Sequence, residues 1–483
     1  MINKGFTRRF KPLEILTEEQ IEEIHRGTLD VLERTGIRFE SDKALKFLSD
    51  NGCKVDFKNK RVKIPSYLVE QCLDKCPSSF SLKSRDPKNN LRIGGNTVYF
   101  TASVGMRTVD LDTWEPRVPT MDENDDAVKI LDALDTVHQL VSYCPYSEIQ
   151  GIPPVLAYPI STASRMKYST KVSRTSQVMD SEIWDIKMAE VTGTDVLGDM
   201  EASPPLTYYE NTVNSAFRFG KTEFPVFIAS GCVMGGTGPA TFAGSTITNN
   251  AEIMAGIVLL QLISPGKGVM ASHFVFPMNM KTGQPGFGNV EITLHDAMFN
   301  QIWRKYGIPT ASCNPYASSA KTIGFQNGYE RMLLTLTAVL SGANFIILHG
   351  GIHGELSFHP VQAVLDDDIA GMVGRFIEGV NITSETLALD LIEEVGPIPG
   401  VYLDKAHTRK WWKKEFFLPM VADRMPYPEW VKKGKKTAVE NAKEKVKDIL
   451  ANYKPIPLSK EQNREVDEIL KEARDYYEKK GLI

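Results

Sequence analysis

The apolar residues of this chain form short runs that alternate with longer helical patterns. Helical periodicity covers residues 125–135, 183–191, 246–262, 294–306 and 329–340. Runs typical of buried strands lie at 140–143, 171–178, 206–209, 225–230, 268–275, 308–312 and 345–348. Repeated strand–helix units predict an α/β fold with a parallel sheet.

These seven predicted strands favour a TIM (β/α)8 barrel. Its eighth strand is not located by the pattern. A doubly wound open sheet is the alternative, but no GxGxxG motif follows a predicted strand. Residues 1–124 are predicted to form an N-terminal extension of helices and a β-hairpin region, opened by a capping box at Thr17 and Gln20. Residues 125–425 are predicted as the catalytic barrel, and residues 426–483 as a helical tail.

Composition narrows the class of protein. The chain has 483 residues, of which 42% are hydrophobic, so it can bury a large core. A net charge of -4 gives no reason to expect nucleic acid. No apolar run reaches the roughly 18 residues of a membrane span, and the N-terminus lacks a secretory signal pattern. The six cysteines include no CxxC pair. We therefore predict a cytoplasmic, soluble enzyme.

Aromatic residues crowd the predicted strand ends, where parallel barrels place their active sites. The set comprises Tyr99, Phe100, Tyr143, Tyr146, Tyr208, Tyr209, Phe274, Phe276, Tyr316 and Phe358. Several converging ring faces would suit a quaternary ammonium cation, each contributing roughly 0.5–2 kcal/mol. For any single ring, ordinary packing is the alternative.

Two further motifs leave alternatives open. The Gly-rich segment 231–244 fits a phosphate cradle, a flat surface for a large planar ligand, or simply a tight loop. His349 and His353, with Cys313 on the preceding strand, suggest zinc, but Gly350 and Gly351 break the helical face and no metal site is predicted. No GxSxG or HExxH motif is present, so the reactive centre is expected to come from elsewhere.

Long, ordered sequence blocks carry a resemblance over almost the full length. They include LTEEQIEEIHRGTLDVLERTGIRF, TGPATFAGSTITNNAEIMAGIVLLQLISPGKGV, MKTGQPGFGNVE and VYLDKAHTRKWWKKEFFLPMVADR. In these blocks the chain resembles the trimethylamine methyltransferase family, in the branch without pyrrolysine that includes glycine betaine:corrinoid methyltransferases. The resemblance implies a (β/α)8 barrel that moves a methyl group from an amine nitrogen to Co(I). A separate corrinoid protein supplies the corrinoid, no cofactor is bound permanently, and a homo-oligomer is expected.

The region that matches the pyrrolysine site has ordinary residues. Asn314, Pro315 and Tyr316 stand there, followed by Ser318, Ser319, Ala320 and Lys321. This departure argues against trimethylamine and for a quaternary amine, which leaves as a neutral tertiary amine and needs no acid or base catalyst. Glycine betaine is the first choice; proline betaine, carnitine and γ-butyrobetaine follow. A non-catalytic quaternary-amine binding protein is the alternative class.

Site residues follow from this interpretation. Asn314, Tyr316 and His349 are predicted to position the substrate, with His349 and Asn314 contacting a carboxylate. Tyr99, Tyr316 and Phe358 are predicted to form an aromatic cage. The residues predicted to face the corrinoid are Gly235, Gly236, Thr237 and Gly238.

Overall fold

A computed structural model describes residues 5–141 and 145–483, in which eight parallel strands close into a barrel. In chain order the strands are β1 (Thr97–Ala102), β2 (Val137–Leu140), β3 (Val172–Arg174), β4 (Val196–Glu201), β5 (Val226–Ser230), β6 (Val269–His273), β7 (Thr310–Ser312) and β8 (Phe345–His349). Each strand pairs with the next, and β8 pairs with β1. The predicted barrel is confirmed, and the open sheet is excluded.

A helix follows each barrel strand and covers the outside of the barrel. These helices are α1 (Met121–Ala133), α2 (Pro154–Tyr168), α3 (Glu182–Thr192), α4 (Glu210–Phe219), α5 (Phe242–Ile263), α6 (Val290–Lys305), α7 (Phe325–Ser341) and α8 (Pro360–Ile377). Helix α5 is the one described helix long and apolar enough to cross a membrane, but 78% of its most apolar window is buried inside the protein. Such burial is typical of a core helix.

Two barrel strands were not predicted as such. Strand β1 lies in the region predicted as a β-hairpin extension, and β4 was missed. The predicted strand at 206–209 belongs elsewhere, because Thr207–Tyr208 pairs with Ile37–Phe39 in a small separate sheet. The other predicted strands each overlap a barrel strand, although residues 142 and 143 of the first lie outside the described residues.

The N-terminal extension packs against this barrel. Its helices are Glu18–Asp30, which continues as a π-helical turn at Val31–Thr35, then Asp42–Asp50 and Ser66–Asp74. The capping box of Thr17 and Gln20 is confirmed. Its strands are Phe6–Thr7, Ile37–Phe39, Lys54–Asp56, Arg61–Lys63, Ser79–Leu82 and Leu91–Gly94. Phe6–Thr7 pairs antiparallel with β1.

The C-terminal region is longer than the predicted tail. The barrel ends with α8 at Ile377, so the predicted range 125–425 begins too late and ends too late. Residues 378–425 form a surface arm, with helices Ser384–Leu387, Leu389–Val395 and Ala406–Glu415. The tail contains helices Tyr427–Lys432, Ala438–Asn452 and Lys460–Lys479. Ala438–Asn452 packs on α8 and α1, and Lys460–Lys479 packs on α2 and α3.

Candidate active site

A cavity of about 250 Å³ opens at the C-terminal ends of the barrel strands. Its lining comes from strand ends and the loops that follow: Val104, Arg174, Glu201, Ala202, Pro204, Ala229, Ser230, Gly231, Phe274, Cys313, Tyr316, Ile347 and Glu355. A larger cleft of about 650 Å³, with Arg92 and Arg304 in its lining, lies at the opposite end of the barrel. We place the active site in the smaller cavity, because barrel enzymes carry their chemistry at the C-terminal end.

Two aromatic rings form one wall of the cavity. Phe274 follows β6 and Tyr316 follows β7, and their rings stack with centroids 6.2 Å apart and an interplanar angle of 5°. Phe287 packs behind Phe274 at 6.1 Å. The cavity therefore has two nearly parallel aromatic rings in its wall, a residue type whose ring faces attract cations.

Charged side chains occupy the facing strands. Arg174 ends β3, and its guanidinium carbon lies 4.1 Å from the centre of the Phe227 ring. Its Nε lies 4.0 Å from Oδ2 of Asp199, which is fully buried on β4. Glu201 ends the same strand, and Glu355 lies in the loop after β8. One guanidinium and two carboxyl groups thus line the cavity, and the carboxyl group of Asp199 lies beside the guanidinium.

Burial shifts the pKa of two of these groups and of a neighbouring thiol. It raises the pKa of Asp199 well above its usual range; Glu201 adds to the shift and Arg174 opposes it. The carboxyl group of Glu355 is largely desolvated although the residue as a whole is exposed, which raises its pKa, and Glu201 adds to the effect. Burial also raises the pKa of the Cys313 thiol to about 11. Cys313 therefore stays a protonated thiol at neutral pH and is a poor nucleophile.

A buried guanidinium on α7 holds the loops that carry Tyr316. Arg331 binds Asp366 of α8 through two bonds of 2.7 Å (Nε–Oδ1) and 2.5 Å (Nη2–Oδ2). Its Nη1 donates to the carbonyl oxygens of Tyr316 and Gly351, and its Nη2 to that of Leu348. The loops after β7 and β8 are therefore fastened to the helical layer by one side chain.

Tyr316 is the one predicted cage residue that lines the cavity. Asn314 lies two positions before it and is 1% exposed. Neither the oxygen nor the nitrogen of its side-chain amide has a hydrogen-bond partner among the described residues. Asn314 does not line the cavity itself. Its contact with a bound carboxylate stays a prediction.

His349 lies outside the cavity, so its predicted contact with a bound carboxylate is wrong. Its Nε2 lies 2.9 Å from Oγ1 of Thr136 and 3.8 Å from Oδ1 of Asp367, which is on α8. Its Nδ1 lies 3.3 Å from the carbonyl oxygen of Thr101. Burial lowers the pKa of His349 to about 3, so the imidazole is neutral. The side chain packs between the barrel wall and the helices.

Tyr99 and Phe358 are also misplaced in the predicted cage. Tyr99 is near the beginning of β1, far from the strand ends, and its hydroxyl donates to the carbonyl oxygen of Arg92 at 3.3 Å. Phe358 is fully buried on a short strand, with its ring edge against Tyr146 at 5.6 Å. Both rings pack within the protein, and Tyr143 lies outside the described residues.

The loop from Gly235 to Gly238 follows β5 and is exposed over most of its length. The amides of Gly236, Thr237 and Gly238 all donate to the carbonyl oxygen of Val233, and that of Gly235 donates to Gly238. These bonds use the amides of Gly235, Gly236, Thr237 and Gly238 within the loop, so these four amides do not form a phosphate cradle. The predicted corrinoid contact of this loop stays a prediction.

The histidine and cysteine residues considered for zinc are not brought together. Nε2 of His353 lies 2.8 Å from the carbonyl oxygen of Lys321, while Cys313 lines the cavity and His349 packs outside it. Among the described residues, no three His, Cys, Asp or Glu side chains form a group that could hold a metal ion.

Sequence reasoning missed three charged residues of the cavity: Arg174, Glu201 and Glu355. Arg174 lies within a predicted strand, and its inward direction follows only once the register is known. Glu201 was not predicted because its strand, β4, was not predicted. A charged residue at the end of a barrel strand is the signal that would have found both.

Comparison with known proteins finds relatives over almost the whole length of the chain. The family model described as trimethylamine methyltransferase (MTTB) matches residues 2–476. The chain is 32% identical over 458 residues to the glycine betaine methyltransferase of Desulfitobacterium hafniense strain Y51, covering 92% of this chain and 94% of that protein. It is 29% identical over 472 residues to the trimethylamine methyltransferase MttB of D. hafniense strain DCB-2, covering 95% and 94%.

Solved structures share the fold. The monomethylamine methyltransferase MtmB of Methanosarcina barkeri aligns with a TM-score of 0.52 at 12% identity, covering 98% of this chain and 89% of that protein. A hydroxylamine complex of MtmB aligns with a TM-score of 0.54 at 14% identity, covering 97% and 89%.

Proposed function

Because the chain belongs to the trimethylamine methyltransferase family and is a methyltransferase, we propose that it demethylates a quaternary amine, with glycine betaine as the first choice. The methyl group passes to Co(I) of a separate corrinoid protein. The observation that carries the proposal is the cavity itself, where the stacked rings of Tyr316 and Phe274 share a small space with Glu201 and Glu355. Ring faces and carboxylates hold a cation that has no N–H to donate.

The reaction needs no proton transfer. Co(I) supplies the electron pair of the new Co–C bond, and the C–N bond breaks with its electron pair remaining on nitrogen. Dimethylglycine leaves as a tertiary amine, and cobalt rises formally from +1 to +3. The protein must hold the methyl carbon in line with the nucleophile, and such positioning is a large source of rate acceleration. The protonated Cys313 thiol and the neutral His349 have no step to perform.

Access for the corrinoid follows from the position of the cavity. The corrinoid is a co-substrate delivered by its own protein, so it must approach the open C-terminal end of the barrel. We place the exposed loop of Gly235, Gly236, Thr237 and Gly238 beside it, because small residues allow a large planar group to come close.

The assay that tests the function mixes the protein with a reduced corrinoid protein and a panel of methylated amines. We expect the cobalt spectrum to change from that of Co(I) to that of methylated cobalt with glycine betaine, and not with trimethylamine. Transfer from trimethylamine alone would contradict the choice of substrate. Tight binding of a quaternary amine without any methyl transfer would support a binding protein instead.

We further propose a homo-oligomer assembled through the surface arm, residues 378–425. The arm exposes many large apolar side chains, among them Ile398 at 96% and Leu403 at 84% exposure. Many large apolar side chains exposed along one segment indicate a surface that binds another protein chain. A cytoplasmic location fits the five cysteines of the described residues, which are free thiols.

Replacing Ile398 and Leu403 together by aspartate is expected to dissociate the oligomer, because the charges would be buried at the interface. Light scattering coupled to size-exclusion chromatography measures the mass. The matched control replaces Phe57 and Tyr67, which are both 57% exposed on the N-terminal extension, by aspartate and should keep the oligomer. An unchanged mass for the arm variant would refute the interface.

A further inference from the structure

The cavity has a positively charged floor. Arg174 is 5% exposed, and its guanidinium lies over Phe227 and beside Asp199. Phe227 and Asp199 are paired in register on β5 and β4, one layer below Ala229 and Glu201, which are also paired. The guanidinium therefore lies beneath the level of Glu201, on the inner side of the cavity.

The opening of the cavity is negatively charged. Glu201 follows Asp199 by two residues on the same strand, so it points to the same side roughly 7 Å nearer the opening. Glu355 comes from the loop after β8 and is exposed. Tyr316 and Phe274 provide the aromatic wall. A cation is thus attracted to the outer part of the cavity and repelled from the inner part.

The carboxyl group of Asp199 lies beside the guanidinium of the floor. Burial raises its pKa well above the usual range and Glu201 adds to the shift, which favours the neutral form of the carboxyl group. Neither carboxyl oxygen has a hydrogen-bond partner among the described residues. Arg174 lines the cavity, and its guanidinium presents donors that suit an anionic carboxylate.

We propose that this polarity orients a zwitterionic substrate, with its carboxylate at Arg174 and its methylated nitrogen at the opening. This inference rests on the proposed function and adds a specificity-determining residue, Arg174, to it. The orientation turns the methyl groups toward the open C-terminal end of the barrel, from which a corrinoid on another protein can approach. The reverse orientation would bury the methyl groups and place a carboxylate between Glu201 and Glu355.

The test measures binding to the full chain without any corrinoid protein, by titration calorimetry. The two ligands are glycine betaine and tetramethylammonium, which has the cation but no carboxylate. Arg174→Met is expected to weaken the binding of glycine betaine about tenfold to hundredfold, because a charged hydrogen-bonded partner is lost. Tetramethylammonium should bind no more weakly, because the guanidinium repels it. Arg174→Lys should fall between the wild type and Arg174→Met for glycine betaine.

Glu201→Gln provides the matched comparison. It should weaken the binding of both ligands, because Glu201 attracts the quaternary ammonium group that each of them carries. A measurement on the unaltered protein guards against misfolded variants: the methyl ester of glycine betaine, which lacks the negative charge, should bind at least tenfold more weakly than glycine betaine. Equal binding of ester and acid, or equal losses of both ligands in Arg174→Met, would overturn the orientation. If the wild type bound none of these quaternary amines, the proposed function itself would fall, and the orientation with it.

Discussion

Arg331→Met is expected to destabilise the protein by about 3–5 kcal/mol, which is the usual cost of removing one partner of a buried ion pair. Arg331 and Asp366 are both fully buried, and the lost guanidinium also serves three carbonyl oxygens. Without it, Asp366 remains in the core with no opposing charge. Urea denaturation followed by circular dichroism gives the free energy of unfolding.

A surface pair provides the control. Arg464 lies 3.8 Å from Glu468 on the last helix, and both side chains are mostly exposed. Arg464→Met should change the free energy of unfolding by less than about 0.5 kcal/mol. Similar decreases in the free energy of unfolding in the two variants would show that the buried pair stabilises the protein no more than the surface pair. Methyl transfer should also fall in Arg331→Met at temperatures where the variant is still folded, because the loop of Tyr316 loses its anchor.

Tyr316→Ala is expected to raise the KM for glycine betaine by up to about 30-fold, since a desolvated ring face contributes about 2 kcal/mol to cation binding. Tyr316→Phe keeps the ring and should remain close to the wild type. Tyr329→Ala serves as the control, because Tyr329 is an exposed ring on α7 that does not line the cavity. Steady-state kinetics with the corrinoid protein measure all three variants. Loss of activity in Tyr316→Phe as large as in Tyr316→Ala would assign the effect to the hydroxyl and not to the ring.

The barrel was predictable because most of its strands are continuous apolar runs, as buried parallel strands are. Strand β4 breaks this rule with the sequence VLGDME, which contains Gly198, Asp199 and Glu201. Asp199 and Glu201 face the interior at the site, whereas Gly198 faces Phe219 of α4. The polar residues that serve the site therefore also kept the strand from being predicted. Strand β1 was misread because the residues after it form turns, and closure by pairing with β8 is not visible in local sequence.

The site was less predictable because its residues depend on which face of each strand they occupy. Ile347 on β8 points into the barrel, and simple alternation would point His349 inward as well. The pairing of β8 with β1 is irregular between these two residues, and His349 instead turns outward toward Asp367. A one-residue irregularity of this kind exchanges the inner and outer faces of the strand, and the local sequence does not predict it.

The Arg331 contacts also constrain how the substrate range of such a barrel can change during evolution. Moving the backbone of Tyr316 would require refitting an ion pair that joins α7 to α8 and two barrel loops. Exchanging Arg174 or Glu201 would alter the charge of the cavity and leave that assembly intact. Divergence toward amines of different charge is therefore expected first at the ends of β3 and β4, while the β7–β8 half of the opening stays fixed.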